Sequence, residues 1–113
     1  MLFRSDEPFG DLLIEKFPFR IGRLNHADGS VFSSNDFSIP DKQPFQVSRN
    51  HCSIEREGDN YFVRDRGSTL GTIVNGVPIG VQHDTLTVDL KKGENTIVVG
   101  SQRSPYKFRI TLA

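Results

Sequence analysis

Ile73-Val74-Asn75-Gly76-Val77-Pro78-Ile79 is the stretch that sets the fold class. Two β-branched pairs flank an Asn-Gly dipeptide, and a type I′ turn needs positive φ at both central residues, which Asn and Gly tolerate best. The stretch reads as a β-hairpin. Short β-type runs continue on either side of it. Upstream lie Leu12-Leu13-Ile14, then Phe17, Phe19 and Ile21, then Cys52 and Ile54, then Tyr61-Phe62-Val63. Downstream, Leu86, Val88 and Leu90 alternate with Thr85, Thr87 and Asp89, followed by Ile97-Val98-Val99 and by Phe108, Ile110 and Leu112. Turn signals punctuate the runs at Glu57-Gly58-Asp59-Asn60, Arg66-Gly67-Ser68, Lys92-Gly93 and Gly100-Ser101. Many short strands with this punctuation predict an all-β sandwich or barrel.

Helix signals are nearly absent. Alanine occurs only at Ala27 and Ala113, ten Gly and six Pro are scattered through the chain, and no window keeps a 3.6-residue apolar period. One segment breaks the strand rhythm. Residues 24–47 are polar or irregular, with only Phe37-Ser38-Ile39 strand-like, and a long loop on a sandwich is usually functional or mobile.

At 113 residues the chain makes one domain over residues 1–113, with enough apolar sequence (35%) for one core. Fourteen Lys and Arg balance fourteen Asp and Glu, which argues against a nucleic-acid partner. Nine Phe without a basic surplus also speak against a single-strand binder. Phe9, Phe17, Phe19, Phe45, Phe62 and Phe108 read as packing residues. The single Cys52 excludes an internal disulfide and a cysteine-based zinc site. No apolar run approaches the ~20 residues that span a bilayer, and the first residues carry no signal-peptide pattern. The expectation is a cytoplasmic module with no membrane insertion, no metal and no cofactor.

Three clusters fall in loops: Ile21-Gly22-Arg23, Ser48-Arg49-Asn50-His51, and Asp65-Arg66-Gly67-Ser68-Thr69-Leu70-Gly71-Thr72. Arg offers a planar fork of donors suited to phosphate oxygens, Ser and Thr add short hydroxyl donors, and Gly lets backbone N–H groups face an anion. There is no P-loop lysine and no acidic pair to hold Mg²⁺. The inventory suits holding a phosphate more than transferring one.

Phe19-Arg20-Ile21-Gly22-Arg23, Ser48-Arg49-Asn50-His51 and Ser68-Thr69-x-Gly71-Thr72-x-x-Asn75-Gly76, in that order, resemble the forkhead-associated (FHA) domain from about residue 10 to the end. The resemblance implies a β-sandwich of two antiparallel sheets with about eleven short strands, whose loops at one end bind phosphothreonine peptides. It implies that Arg23 contacts the phosphate, that Ser48 donates its hydroxyl to another phosphate oxygen, and that Arg49 faces the peptide or adds to the positive field. Thr69 reaches the phosphothreonine from the third loop. Gly22 and His51 brace the loops, and Asn75, with Gly76, ties the third loop to its neighbours. Where the family carries an Asn that bonds the peptide main chain, this sequence has Leu70, which cannot make those bonds. The implied partner is a phosphothreonine-containing protein, and modules of this family are often joined to other domains.

Each residue also has a plainer reading. Arg23 alone reads as a surface ion-pair partner, Ser48 as a hydroxyl bonding its own backbone, Arg49 as an ordinary exposed cation and Thr69 as a turn hydroxyl. His51 beside Ser48 suggests a nucleophile and base, but no Gly-x-Ser-x-Gly elbow or orienting carboxylate accompanies them, so an enzyme is not expected. His51 reads as a buried brace and Cys52 as core filler, and His26 and His83 make no metal site. The competing function is a phosphate-independent assembly domain that docks through the sandwich faces, the 24–47 loop or Leu70.

Overall fold

The computed structural model describes residues 1–5, 10–24 and 35–113. Eleven strands form in chain order: β1 (Leu2–Ser5), β2 (Leu12–Leu13), β3 (Phe19–Arg23), β4 (Phe37–Ile39), β5 (Cys52–Glu57), β6 (Asn60–Asp65), β7 (Thr72–Val74), β8 (Val77–Ile79), β9 (Thr87–Asp89), β10 (Gly93–Val99) and β11 (Lys107–Leu112). They build a six-stranded sheet in the order β2-β1-β11-β10-β7-β8 and a five-stranded sheet in the order β4-β3-β5-β6-β9. The sole short helix among the described residues is a 3-10 turn at Val81–His83. The all-β sandwich is thus as the sequence predicts.

The β7–β8 hairpin turns through Asn75 (φ 51°) and Gly76 (φ 81°), the positive-φ pair that the dipeptide dictates. Alternation decides the core. Ile97 and Val99 of β10, Phe108 and Ile110 of β11 and Val74 of β7 face Ile21, Ile54 and Val63 of the other sheet, and all are buried. Phe3, Phe37 and Phe108 close one region of the core, with ring centroids 4.9–5.6 Å apart. Phe45 is 39% exposed and packs within a loop, beneath the Arg23 guanidinium.

Three details differ from the sequence expectation. First, β3 and β4 pair in parallel, Ile21 against Phe37 and Arg23 against Ile39, so the five-stranded sheet is not wholly antiparallel. Second, Leu2–Ser5 forms a full strand on β11, although its four residues carry no turn signal that would set it apart. Third, Leu12-Leu13-Ile14 gives only a two-residue edge strand, with Leu13 58% exposed and Ile14 buried. Phe9, His26 and residues 25–34 of the 24–47 segment lie outside the described residues.

Candidate phosphate-binding site

Three connections meet at one end of the sandwich. Arg23 ends β3, Ser48 lies in the β4–β5 connection, and Thr69 lies in the β6–β7 connection. The backbone N–H of Arg23 donates to the Ser48 carbonyl at 2.9 Å, which fixes the first loop to the second. The Ser48 hydroxyl accepts from the Thr69 N–H at 3.0 Å and lies 3.4 Å from the Thr69 hydroxyl, which fixes the second to the third.

The second and third loops owe their shape to a half-buried and a buried carboxylate. In the second, the Asp41 carboxylate accepts from the N–H groups of Lys42, Gln46 and Val47 at 2.6–2.8 Å and from the Tyr106 hydroxyl at 2.9 Å. Burial, helped by that bond to Asp41, pushes the Tyr106 phenol up to about 12. In the third, the buried Asp65 carboxylate accepts from the N–H groups of Gly67 and Ser68 and from the hydroxyls of Ser68 and Thr72, at 2.6–3.0 Å. Ser68 in turn accepts from the Gly71 N–H at 2.9 Å. Neither acidic hub is assigned a role from sequence, although Asp65 carried a signal for one. The signal was local: Asp followed two and three residues on by Gly and Ser is an Asx-turn pattern.

His51 is fully buried between the second and third loops. Its Nδ1 accepts from the Ser48 N–H at 2.9 Å, which assigns the proton to Nε2, and Nε2 donates to the Gly71 carbonyl at 2.7 Å. Burial lowers its pKa from the ordinary 6.5, against the raising effects of the Gly71 bond and of Asp65 and Asp41. The ring is neutral in the folded protein. The unfolded chain therefore takes up a proton at a higher pH than the folded one, and stability falls as pH drops below about 6.5. The urea midpoint is expected to decline between about pH 7.5 and about pH 5.5, and to decline less in His51→Gln, which keeps a donor and an acceptor but cannot titrate. Equal declines in both proteins would exclude His51 as the source.

Cys52, next along the chain, is fully buried, and burial pushes its thiol up to about 12. Gly22 is also buried. A Cβ there would overlap the Arg49 carbonyl oxygen and come within 2.5 Å of the Asn35 carboxamide. The missing side chain admits Asn35, whose Nδ2 donates to the Arg49 carbonyl at 2.7 Å. Asn75 and Gly76 stand at the opposite end of the β7–β8 hairpin. Asn75 bonds Asn95 and the Thr96 N–H of β10, both at 2.9 Å, so its tie runs to a neighbouring strand and not to the 66–71 loop.

The loops enclose a concavity of about 390 Å³ lined by Arg23, Ser48, Arg49, Asn50, Arg66, Gly67 and Thr69. The Arg23 guanidinium lies over the Phe45 ring, 3.8 Å from its centre, and donates to the Val47 carbonyl at 3.3 Å. Leu70 is 37% exposed and does not line the concavity. The lining, among the described residues, carries guanidinium, hydroxyl and amide groups and no carboxylate. A larger hollow of about 490 Å³ lies against β1, β10 and β11, beside Arg4, Lys107 and Arg109. There Arg109 is 3.7 Å from Glu94, and no loops converge, so the 390 Å³ concavity is the better anion site.

The FHA-domain family model matches residues 19–100. The chain belongs to the FHA-domain family. FHA domains are protein-interaction modules. Solved structures share the fold of this FHA domain. The FHA domain of CT664 from Chlamydia trachomatis is 19% identical with a TM-score of 0.67, covering 99% of this chain and 97% of that one. The FhaA FHA domain, solved in complex with the intracellular domain of Rv3910, is 24% identical with a TM-score of 0.65 and 96% coverage of each chain. EmbR of Mycobacterium tuberculosis, solved in complex with a low affinity phosphopeptide, is 25% identical with a TM-score of 0.66, covering 99% of this chain and 25% of EmbR. No curated protein matches the sequence. Among the described residues no helix is long and apolar enough to cross a membrane, and no group of His, Cys, Asp and Glu is placed to hold a metal ion.

Proposed function

We propose that this FHA domain binds partner proteins through a phosphorylated threonine, with Arg23 and Ser48 meeting the phosphate and Thr69 and Arg49 beside them. The observation that carries the reading is the shared concavity: guanidinium and hydroxyl donors from three loops line one surface, with no carboxylate among the described residues that line it. A phosphate brings nearly two negative charges and three acceptor oxygens, and this lining offers charge-assisted donors to them. The phosphopeptide bound by EmbR supports the ligand class, and the family resemblance supplies threonine as the phosphorylated residue. His51 and Gly22 act by holding the loops in register. We assign such a module to the cytoplasm, on the ground that it reads the products of kinases.

The test is titration with one peptide in three forms: phosphothreonine, phosphoserine and unphosphorylated. Binding is expected for the phosphothreonine form, weaker binding for phosphoserine, and none for the unphosphorylated form at the same concentrations. Equal affinity for all three would overturn the reading in favour of phosphate-independent assembly. The exposed Leu70 at the edge of the loops is the observation that favours that second reading.

A further inference from the structure

The six-stranded sheet buries one face in the core and turns the other outward. Arg4, Thr96, Lys107 and Arg109 alternate with buried neighbours and stand exposed on that outer face. The register sets Arg4 of β1 directly opposite Arg109 of β11, and Thr96 of β10 completes the row. Like charges directly opposite each other destabilise a sheet. Glu94 lies 3.7 Å from Arg109, but the two side chains are 59% and 48% exposed, so the pair offsets little of that repulsion. The adjacent row, Lys107, Val98 and Ile73, puts a third cation beside two half-buried aliphatic side chains. The 490 Å³ hollow spans both rows, and no carboxylate lines it among the described residues. The chain as a whole is neutral, so this face holds a local excess of positive charge.

We propose that the outer face of the six-stranded sheet is a docking surface for an acidic segment of a partner protein, one in which Asp or Glu is interspersed with apolar residues. The surface shares no lining residue with the loop-end concavity and needs no phosphate, so the inference stands apart from the phosphothreonine reading. Carboxylates seated between Arg4 and Arg109 would relieve the repulsion that the register imposes, and the Thr96 hydroxyl adds a neutral donor to them. The aliphatic pair beside Lys107 gives apolar side chains a place, which is why a protein segment suits the face better than a polyphosphate. Three cations are also few for nucleic acid, whose affinity grows with the number of phosphates neutralised.

The test selects short, random, unphosphorylated peptides displayed on phage against the immobilised protein and titrates the enriched ones by NMR. Enriched peptides are expected to carry Asp or Glu beside Leu, Ile or Phe. They should shift the amide signals of β1, β10 and β11, leave those of Arg23, Ser48 and Thr69 in place, and bind less tightly as salt rises. Joint Arg4→Gln and Arg109→Gln exchange should lower their affinity about tenfold, and Lys107→Gln alone about threefold. The double variant should unfold at the parent's urea midpoint or above it, because the repulsion is gone, and should keep the parent's affinity for a phosphothreonine peptide. The proposal is overturned by a lack of enrichment, by enriched peptides without acidic residues, by signal shifts confined to the concavity, or by unchanged affinity in both variants. Tighter binding of a random single-stranded oligonucleotide or of phosphatidylserine vesicles also overturns it, by giving the face to nucleic acid or to lipid. If acidic peptides dock here while phosphothreonine peptides fail to bind the parent, the phosphate reading falls and this one holds.

Discussion

Arg23→Ala lowers the affinity for a phosphothreonine peptide by roughly 100-fold, the scale of losing charge-assisted hydrogen bonds to a dianion in a partly enclosed site. The expectation follows from how the side chain is held. Arg23 ends β3 with its backbone bonded to Ser48, its ring-like plane lies on Phe45, and one N–H is fixed by the Val47 carbonyl. The fork is thus oriented before the ligand arrives, and less conformational entropy is lost on binding than for a mobile arginine. Arg23→Lys keeps the charge but loses the plane, so an intermediate loss of about tenfold is expected. Both variants should unfold within about 1 kcal/mol of the parent, because the side chain is half-buried and outside the core. Calorimetric titration with a urea melt of each variant checks all of this. An Arg23→Ala protein that binds like the parent removes Arg23 from the phosphate site.

Asp65→Ala destabilises the fold by about 3–5 kcal/mol, because it removes a buried acceptor and leaves its donors unsatisfied. Four donors converge on that carboxylate, two backbone N–H groups and two hydroxyls, from the short β6–β7 connection and the first residue of β7. The loop that carries Thr69 and Arg66 should lose its fixed shape along with the stability, so peptide affinity falls as well. Asp65→Asn is the informative companion. It retains an oxygen for the two N–H groups and sets its NH₂ against hydroxyls that can rotate to accept, so a cost of about 1–2 kcal/mol is expected. Urea unfolding measures both. A loss under about 1 kcal/mol in Asp65→Ala would mean that the network contributes far less than its geometry suggests.

Much of the fold was legible because alternation and turn chemistry are local. Asn75-Gly76 forces its hairpin, and Leu86, Val88 and Leu90 mark the region of β9 by period alone. What escaped was non-local. Leu2–Ser5 becomes a strand because β11 offers it a partner, and nothing within four residues announces that. The parallel β3–β4 pair was hidden for the same reason. In the site, Arg23, Ser48 and Thr69 are named by the resemblance of their motifs to the family, but their common surface depends on hydrogen bonds that bridge 21 or more residues. Arg66 was passed over because an arginine before Gly-Ser looks like any exposed turn residue. Only the folded arrangement of Asn35 and Asn50 around it shows that it is held in place.

The parallel register of β3 and β4 constrains the chain between them. Antiparallel neighbours can be joined by two residues, but strands that run the same way oblige the polypeptide to return over the full strand length, which takes about a dozen residues or more. Residues 24–36 are therefore a topological necessity rather than a dispensable insertion. Trimming them to a tight turn would leave Phe37–Ile39 unable to reach its place, and with it would go the edge that Ile39 seals and the Asn35 anchor beyond Gly22. The span of this stretch is thus held by that return journey, while Asn35 and Asp36 near its end are also held by their bonds to Arg49 and Arg20.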